Sequence, residues 1–159
     1  MWKKQRTGRL AWAAVLALTT SCSGGRPPRS PGVADDRLAP CPGSPNCVSS
    51  EALAVEQRVE PLNYDGDAAR ARARLAEVLK GMVRARTVRS TDLYLRAEFR
   101  SAVFGFVDDV EFYFGPPGTI QVRSASRAGY YDFGVNHERV ETIRARFAAS
   151  PSGAGTSAR

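Results

Sequence analysis

The chain has 159 residues, with 23 Lys and Arg against 16 Asp and Glu, a formal charge of +7, three cysteines and a single histidine. That inventory excludes a Cys/His metal centre, because His137 has no partner set at ligand spacing, and no Gly-rich phosphate loop is present. Four of the basic residues precede position 10, and without them the balance is 19 against 16, too even to argue for nucleic acid as a partner.

The first segment, MWKKQRTGR (1–9), is basic and carries no acid. LAWAAVLAL (10–18) is apolar, and TTSC ends at Cys22. This is the order of an export signal. Nine apolar residues fall far short of the ~20 that a helix needs to span a bilayer, so residues 1–21 read as a leader that is removed. Cys22, followed by Ser23, Gly24 and Gly25, resembles the lipidated cysteine of a bacterial lipoprotein, although Thr19 stands where such signals usually carry leucine. Acyl chains on Cys22 would hold the protein on a membrane at ~0.8 kcal/mol per buried CH₂. Serine at position 23 would favour the periplasmic face of the outer membrane in a Gram-negative cell. The alternative is a soluble secreted or periplasmic protein cut nearby.

Residues 22–40, rich in Gly, Pro, Ser and charge, read as a flexible tether. Residues 41–149 form one domain, and 150–159 read as a disordered tail. At the start of the domain, CPGSPNC brackets turn-forming residues between Cys41 and Cys47. In an oxidising compartment these two thiols pair.

DAARARARLAEVLKGMVRA (67–85) has Leu75, Val78, Leu79, Met82 and Val83 at helical spacing, with Asp65 or Asp67 as its cap. The period then changes to two. TVRS (87–90) and LYLRAEFR (93–100) read as paired strands, with Leu93, Leu95, Ala97 and Phe99 on the core face. FGFVDDVEFYF (104–114) places Phe104, Phe106, Val110, Phe112 and Phe114 on one face, GPPG (115–118) turns, and TIQVRSAS (119–126) returns. VNHERVETIRARF (135–147) is a second helix, capped by Asn136, with a staple of Val135 and Val140. Val55 to Val59 offers a further short strand. The fold class is α+β: an antiparallel sheet of about four strands with two helices on one face.

One residue breaks the apolar alternation. Asp108 shares parity with the core-facing residues and must be paired or hydrogen-bonded there. Folding about GPPG brings it opposite Ser124 or Ser126, while Asp109 and Glu111 approach Arg123 on the other face. After Ser126 the chain passes Arg127, Gly129, Tyr130 and Asp132 before turning at Gly134. Two readings follow. The run 123–136 is a hydrogen-bonded corner, or it is a ligand site in which Asp108, Arg123, Ser124, Ser126, Arg127, Tyr130 and Asp132 bind a small, anionic molecule. A Ser126, His137 and Asp132 triad lacks the strand-turn-helix setting of a nucleophile elbow.

The strings CPGSPNCVSS (41–50), AEFRS (97–101), FGFVDDVEF (104–112) and RSASRAGYYDFGVN (123–136) together resemble the DUF1499 family, over nearly the whole domain. The resemblance implies a small bacterial lipoprotein or membrane-associated protein, with relatives in plant plastids, and no established reaction. It implies a recurring pattern at Cys41, Asn46, Cys47, Asp108, Asp109, Arg123, Ser124, Ser126, Arg127, Asp132, Gly134 and Asn136. Tyr131 after Tyr130 departs from the pattern, where a small or polar residue is usual. The expectation is an exported, lipid-anchored binding module for a small ligand or an envelope protein, with no cofactor, no metal and no nucleic acid. The alternatives are a structural accessory subunit of an envelope complex and an envelope hydrolase.

Overall fold

A computed structural model describes residues 32–102 and 104–151. The leader, Cys22 and residues 152–159 of the tail lie outside the described residues. Helix α1 (Ala68–Lys80) starts where the Asp67 carboxylate accepts from the Ala69 amide at 2.7 Å, and it ends at Gly81. It buries Ala71, Leu75 and Leu79. Because the helix stops there, Val83 falls on a solvent-facing turn instead of the core. The arginines of α1 hold neighbours: Arg72 donates to Ser90 Oγ and Arg74 lies over the Phe147 ring.

The remaining elements are β1 (Val33–Ala34), β2 (Arg37–Leu38), β3 (Cys47–Ser49), β4 (Leu62–Asn63), β5 (Ala85–Ser90), β6 (Tyr94–Arg100), β7 (Val107–Tyr113), β8 (Thr119–Ser126) and α2 (Val135–Ala149). The main sheet runs β3-β8-β7-β6-β5, with β4 pairing further along the β8 edge, six strands in all and every pairing antiparallel. The four expected strands are its middle and far edge. The two added strands are two or three residues long, too short to leave a periodic signal. Val55–Gln57 is a 3₁₀ turn and not a strand, with Arg58 bridging to Ser49.

Both helices pack on one face, over Leu95, Ala97, Phe99, Val110, Phe112, Ile120 and Val122, with Val140, Ile143 and Phe147 from α2. Besides Val83, three core assignments differ from expectation. Phe104 and Phe106 precede β7 in a loop where Gly105 has φ +66, so neither enters the core, and Leu93 precedes β6.

The second face of the sheet is covered as well. β1 and β2 form a two-stranded ribbon whose flanking chain lies across it. The Gly32 amide donates to Glu111, Tyr113 Oη to Asp36 and the Leu38 amide to Glu51, while Leu38 packs with Tyr94 and Tyr113. Residues 32–40, assigned to the tether by composition, are therefore part of the folded body. Their few anchoring groups are too sparse to show in composition.

The end of the covered face is packed tightly. A Cβ built on Gly115 would overlap the Tyr113 hydroxyl and ring edge, and that hydroxyl is held by Asp36. Gly115→Ala is expected to cost about 1–3 kcal/mol by displacing the ring, measured by chemical denaturation. Gly43→Ala, whose Cβ meets nothing within 4 Å, is the control with little change.

Candidate functional site

The residues singled out from the sequence lie on two opposite faces of β7 and β8. On the helix face, Asp108 pairs in register with Ser126 and is 7% exposed. Its partner is Arg139 of α2, at 2.6 Å, and not a serine. Arg139 also donates to Asn136 Oδ1 at 2.7 Å and to Ser124 Oγ at 3.3 Å, and its guanidinium lies 4.9 Å from the Phe99 ring centre. Asn136 is the hub. Its Oδ1 accepts from Ser124 Oγ, and its Nδ2 lies within 2.9 Å of Ser126 Oγ, Asp132 Oδ2 and the Asn46 carbonyl.

Asn136 was expected to cap α2, but the cap position belongs to Gly134, at φ +81. The capping side chain is Asp132, which accepts from the amides of Gly134 and Asn136. Asn136, one turn position inside, is thereby free to bury its amide against the sheet. Val135 is 44% exposed, so the expected staple with Val140 does not form.

On the ribbon face lies a second, more strongly charged cluster. Arg127 donates two bonds to Asp109, at 2.6 and 2.8 Å, and one to Glu98 at 2.6 Å. Arg123 pairs with Glu111 at 2.7 Å, and Glu111 also accepts from Tyr94 Oη and the Gly32 amide. Arg86 donates to Glu98 at 3.0 Å, and Arg96 stands 3.9 Å from Asp109. Asp109 and Glu111 are both fully buried. Burial pushes the Tyr94 hydroxyl far above its ordinary range, and the facing Glu111 carboxylate adds to this. The Arg127 guanidinium is raised by its bonds to Asp109 and Glu98.

Arg123 and Arg127, expected to bind an anion, are thus taken up by carboxylates of the fold. Of the named residues only Tyr130 is open to solvent, at 73%. Ser126, Asp132 and His137 do not form a relay: Asp132 is occupied at the helix start and His137 is exposed. Among the described residues, no group of three His, Cys, Asp or Glu could hold a metal ion. Cys41 and Cys47 are bridged, and the Asn46 side chain next to that bridge donates to the Gly129 carbonyl, tying the disulfide loop to the β8–α2 segment.

Sequence reasoning missed Arg139 and the role of Glu98, and it had Asn46 only as a position of the recurring pattern, without a partner. A signal existed for Arg139: positions 136, 139, 140 and 143 share one stripe of a helix, so the stripe carries two polar groups to the sheet face.

An antiparallel sheet with two helices on one face and a charged, covered face on the other defines an α+β domain locked by buried polar contacts. The family model "Protein of unknown function (DUF1499)" matches residues 37–147, and the chain belongs to that family. No curated protein matches the chain.

Two outcomes follow from the ribbon-face cluster. Arg127→Ala, which leaves the fully buried Asp109 with only Arg96 at 3.9 Å, is expected to lower stability by about 3–5 kcal/mol in chemical denaturation. The second concerns acid. Burial works to raise the Glu98 carboxyl, but hydrogen bonds from Arg127 and Arg86 outweigh it and hold the group below its ordinary value of 4.5. A depressed carboxyl contributes stability that is present above the unfolded value and lost as pH falls through the folded one. Melting temperature should therefore decline below about pH 4.5, and Glu98→Gln should flatten that decline.

Proposed function

We propose that the protein is exported, anchored through lipid on Cys22, and works as a non-enzymatic binding module of the bacterial cell envelope. The leader-like residues 1–21 and the Cys41–Cys47 bridge support the compartment, since such bridges persist in oxidising surroundings. Two further facts support binding in place of catalysis. The buried ionisable groups of the polar corner are held in ion pairs within the fold, where a general acid or base would need a free group.

The observation that carries the binding reading is a groove of about 720 Å³ between the ribbon and residues 49–57. Val33, Leu38, Ala52 and Leu53 supply apolar lining, while Ser49, Glu51 and Arg37 supply polar groups. A small ligand with an apolar body suits this lining.

Native mass spectrometry of protein released gently from cell membranes tests the reading. A mass excess that denaturation removes is expected in the wild type and is expected to vanish in Ala54→Trp, which fills the groove from an exposed position. An unliganded mass in both, with no heat of binding for extracted envelope lipids or small metabolites, would overturn it.

A further inference from the structure

One end of the sheet carries an apolar surface that neither the core nor the groove uses. The strand register sets which loops meet there: Arg100 pairs with Val107, Asp108 with Ser126, and the Arg127 amide donates to the Val107 carbonyl at 3.1 Å. The β6–β7 loop and the β8–α2 loop therefore leave the sheet side by side. The first presents Phe104 and Phe106, 75% and 53% exposed, stacked at 5.5 Å. The second presents Tyr130, Tyr131 and Phe133, at 73%, 57% and 86%, with Tyr131 and Phe133 edge to face at 5.1 Å.

Phe133 adds a second observation. It sits at φ +57, a left-handed conformation that a bulky side chain resists. Glycine would adopt this turn without strain. The chain instead spends stability to hold an aromatic ring in solvent, the pattern of a residue kept for contact with something else.

We propose that this aromatic end docks on the surface of a lipid bilayer, with the rings entering the interface between headgroups and acyl chains. Phe and Tyr on short loops suit that zone, since an aromatic ring is apolar in body and, in Tyr, polar at its tip. Charge agrees. The Arg100 amide donates to the Arg84 carbonyl at 3.2 Å, which brings both residues to this end with exposed side chains. Among the described residues no carboxylate holds either one, so they are available to anionic headgroups. The acids beside the rings in sequence, Asp108, Asp109 and Asp132, are occupied within the fold, and Glu138 on the first turn of α2 is an exposed acid of that helix start.

Reach agrees too. From Gly32, whose amide is bonded to Glu111, the chain back to Cys22 can extend ~35 Å, whereas Glu111 lies only four residues, ~13 Å, from the Val107 end of β7. Lipid on Cys22 and the aromatic end can therefore touch one membrane together. This inference rests on the proposed export for where the bilayer is met, but the surface acts without the lipid.

The test uses the chain starting at residue 22 with Cys22→Ser, which removes the acyl acceptor. Co-sedimentation is measured with vesicles of phosphatidylethanolamine and phosphatidylglycerol. Binding is expected, weaker by about tenfold in Phe104→Ser/Phe106→Ser and in Tyr131→Ser/Phe133→Ser, with melting temperatures unchanged. Arg84→Ala/Arg100→Ala should weaken binding to these vesicles and leave binding to phosphatidylcholine vesicles unaltered. Phe133→Gly should raise the melting temperature while weakening binding, an outcome that a structural role does not give. Equal binding by all variants, or none by the parent chain, overturns the inference. So does concentration-dependent association without vesicles that the serine variants abolish, which would make the end a contact between two copies. Absence of acyl mass on Cys22 in protein taken from cells, with vesicle binding intact, would overturn the anchor and leave the docking surface standing.

Discussion

The Glu111–Arg123 pair sets the terms for the rest of the structure. Both residues stand in the centre of the sheet, on adjacent strands and in register, on the face away from the helices. A carboxyl group with no exposure costs stability unless its oxygens are hydrogen-bonded, and here Arg123, Tyr94 and the Gly32 amide donate to them. The last of these partners comes from the ribbon. The charged face and its cover are therefore one arrangement: remove the ribbon and Glu111 loses a donor, while Leu38, Tyr94 and Tyr113 lose their shared contact. Arg127 extends the same pattern to Asp109 and Glu98.

The polar corner divides the labour with the loops around it. Asn136, Asp132, Arg139 and Asp108 consume each other's hydrogen-bonding capacity and fix α2 to the sheet at its first turn. That fixed turn is also what holds the 127–134 loop in its strained path, since Asp132 caps the helix from inside the loop. The run of polar residues that suggests a site from the sequence is thus the fastening, and the aromatic residues interleaved with it are what the fastening displays.

The physics of alternation explains what was legible. β8 and the two helices follow from strict two- and 3.6-residue periods, and the same parity placed Asp108 under the helices and Asp109 and Glu111 opposite them. The disulfide followed from compartment and spacing. Parity fails where the strand ends, so Phe104 and Phe106, in phase with β7 on paper, flank a left-handed glycine ahead of the strand and stay out of the core. Charge type did not reveal charge pairing. Parity about the GPPG turn did bring Glu111 to Arg123, but Arg127, just past the end of β8, read as a ligand group because its partners Asp109 and Glu98 come from β7 and β6, at separations where sequence carries no spacing rule. The ribbon was hidden for a related reason: two backbone amides, one carboxylate and one leucine hold it, too few groups to leave a pattern in composition.

The attachment of the ribbon has a mechanical consequence. A pull applied upstream of Gly32 meets the contacts of residues 32–38 in sequence: Gly32 with Glu111, Asp36 with Tyr113, Leu38 with Glu51. Contacts loaded one at a time unzip at low force, unlike strands sheared together. Further along, the load arrives at Cys41, where the bridge passes it straight to Cys47 and so to the edge strand β3, by-passing the residues between. Under such a pull residues 32–40 would act as a strap, ~30 Å at full extension, that ends in the covalent stop of the Cys41–Cys47 bridge.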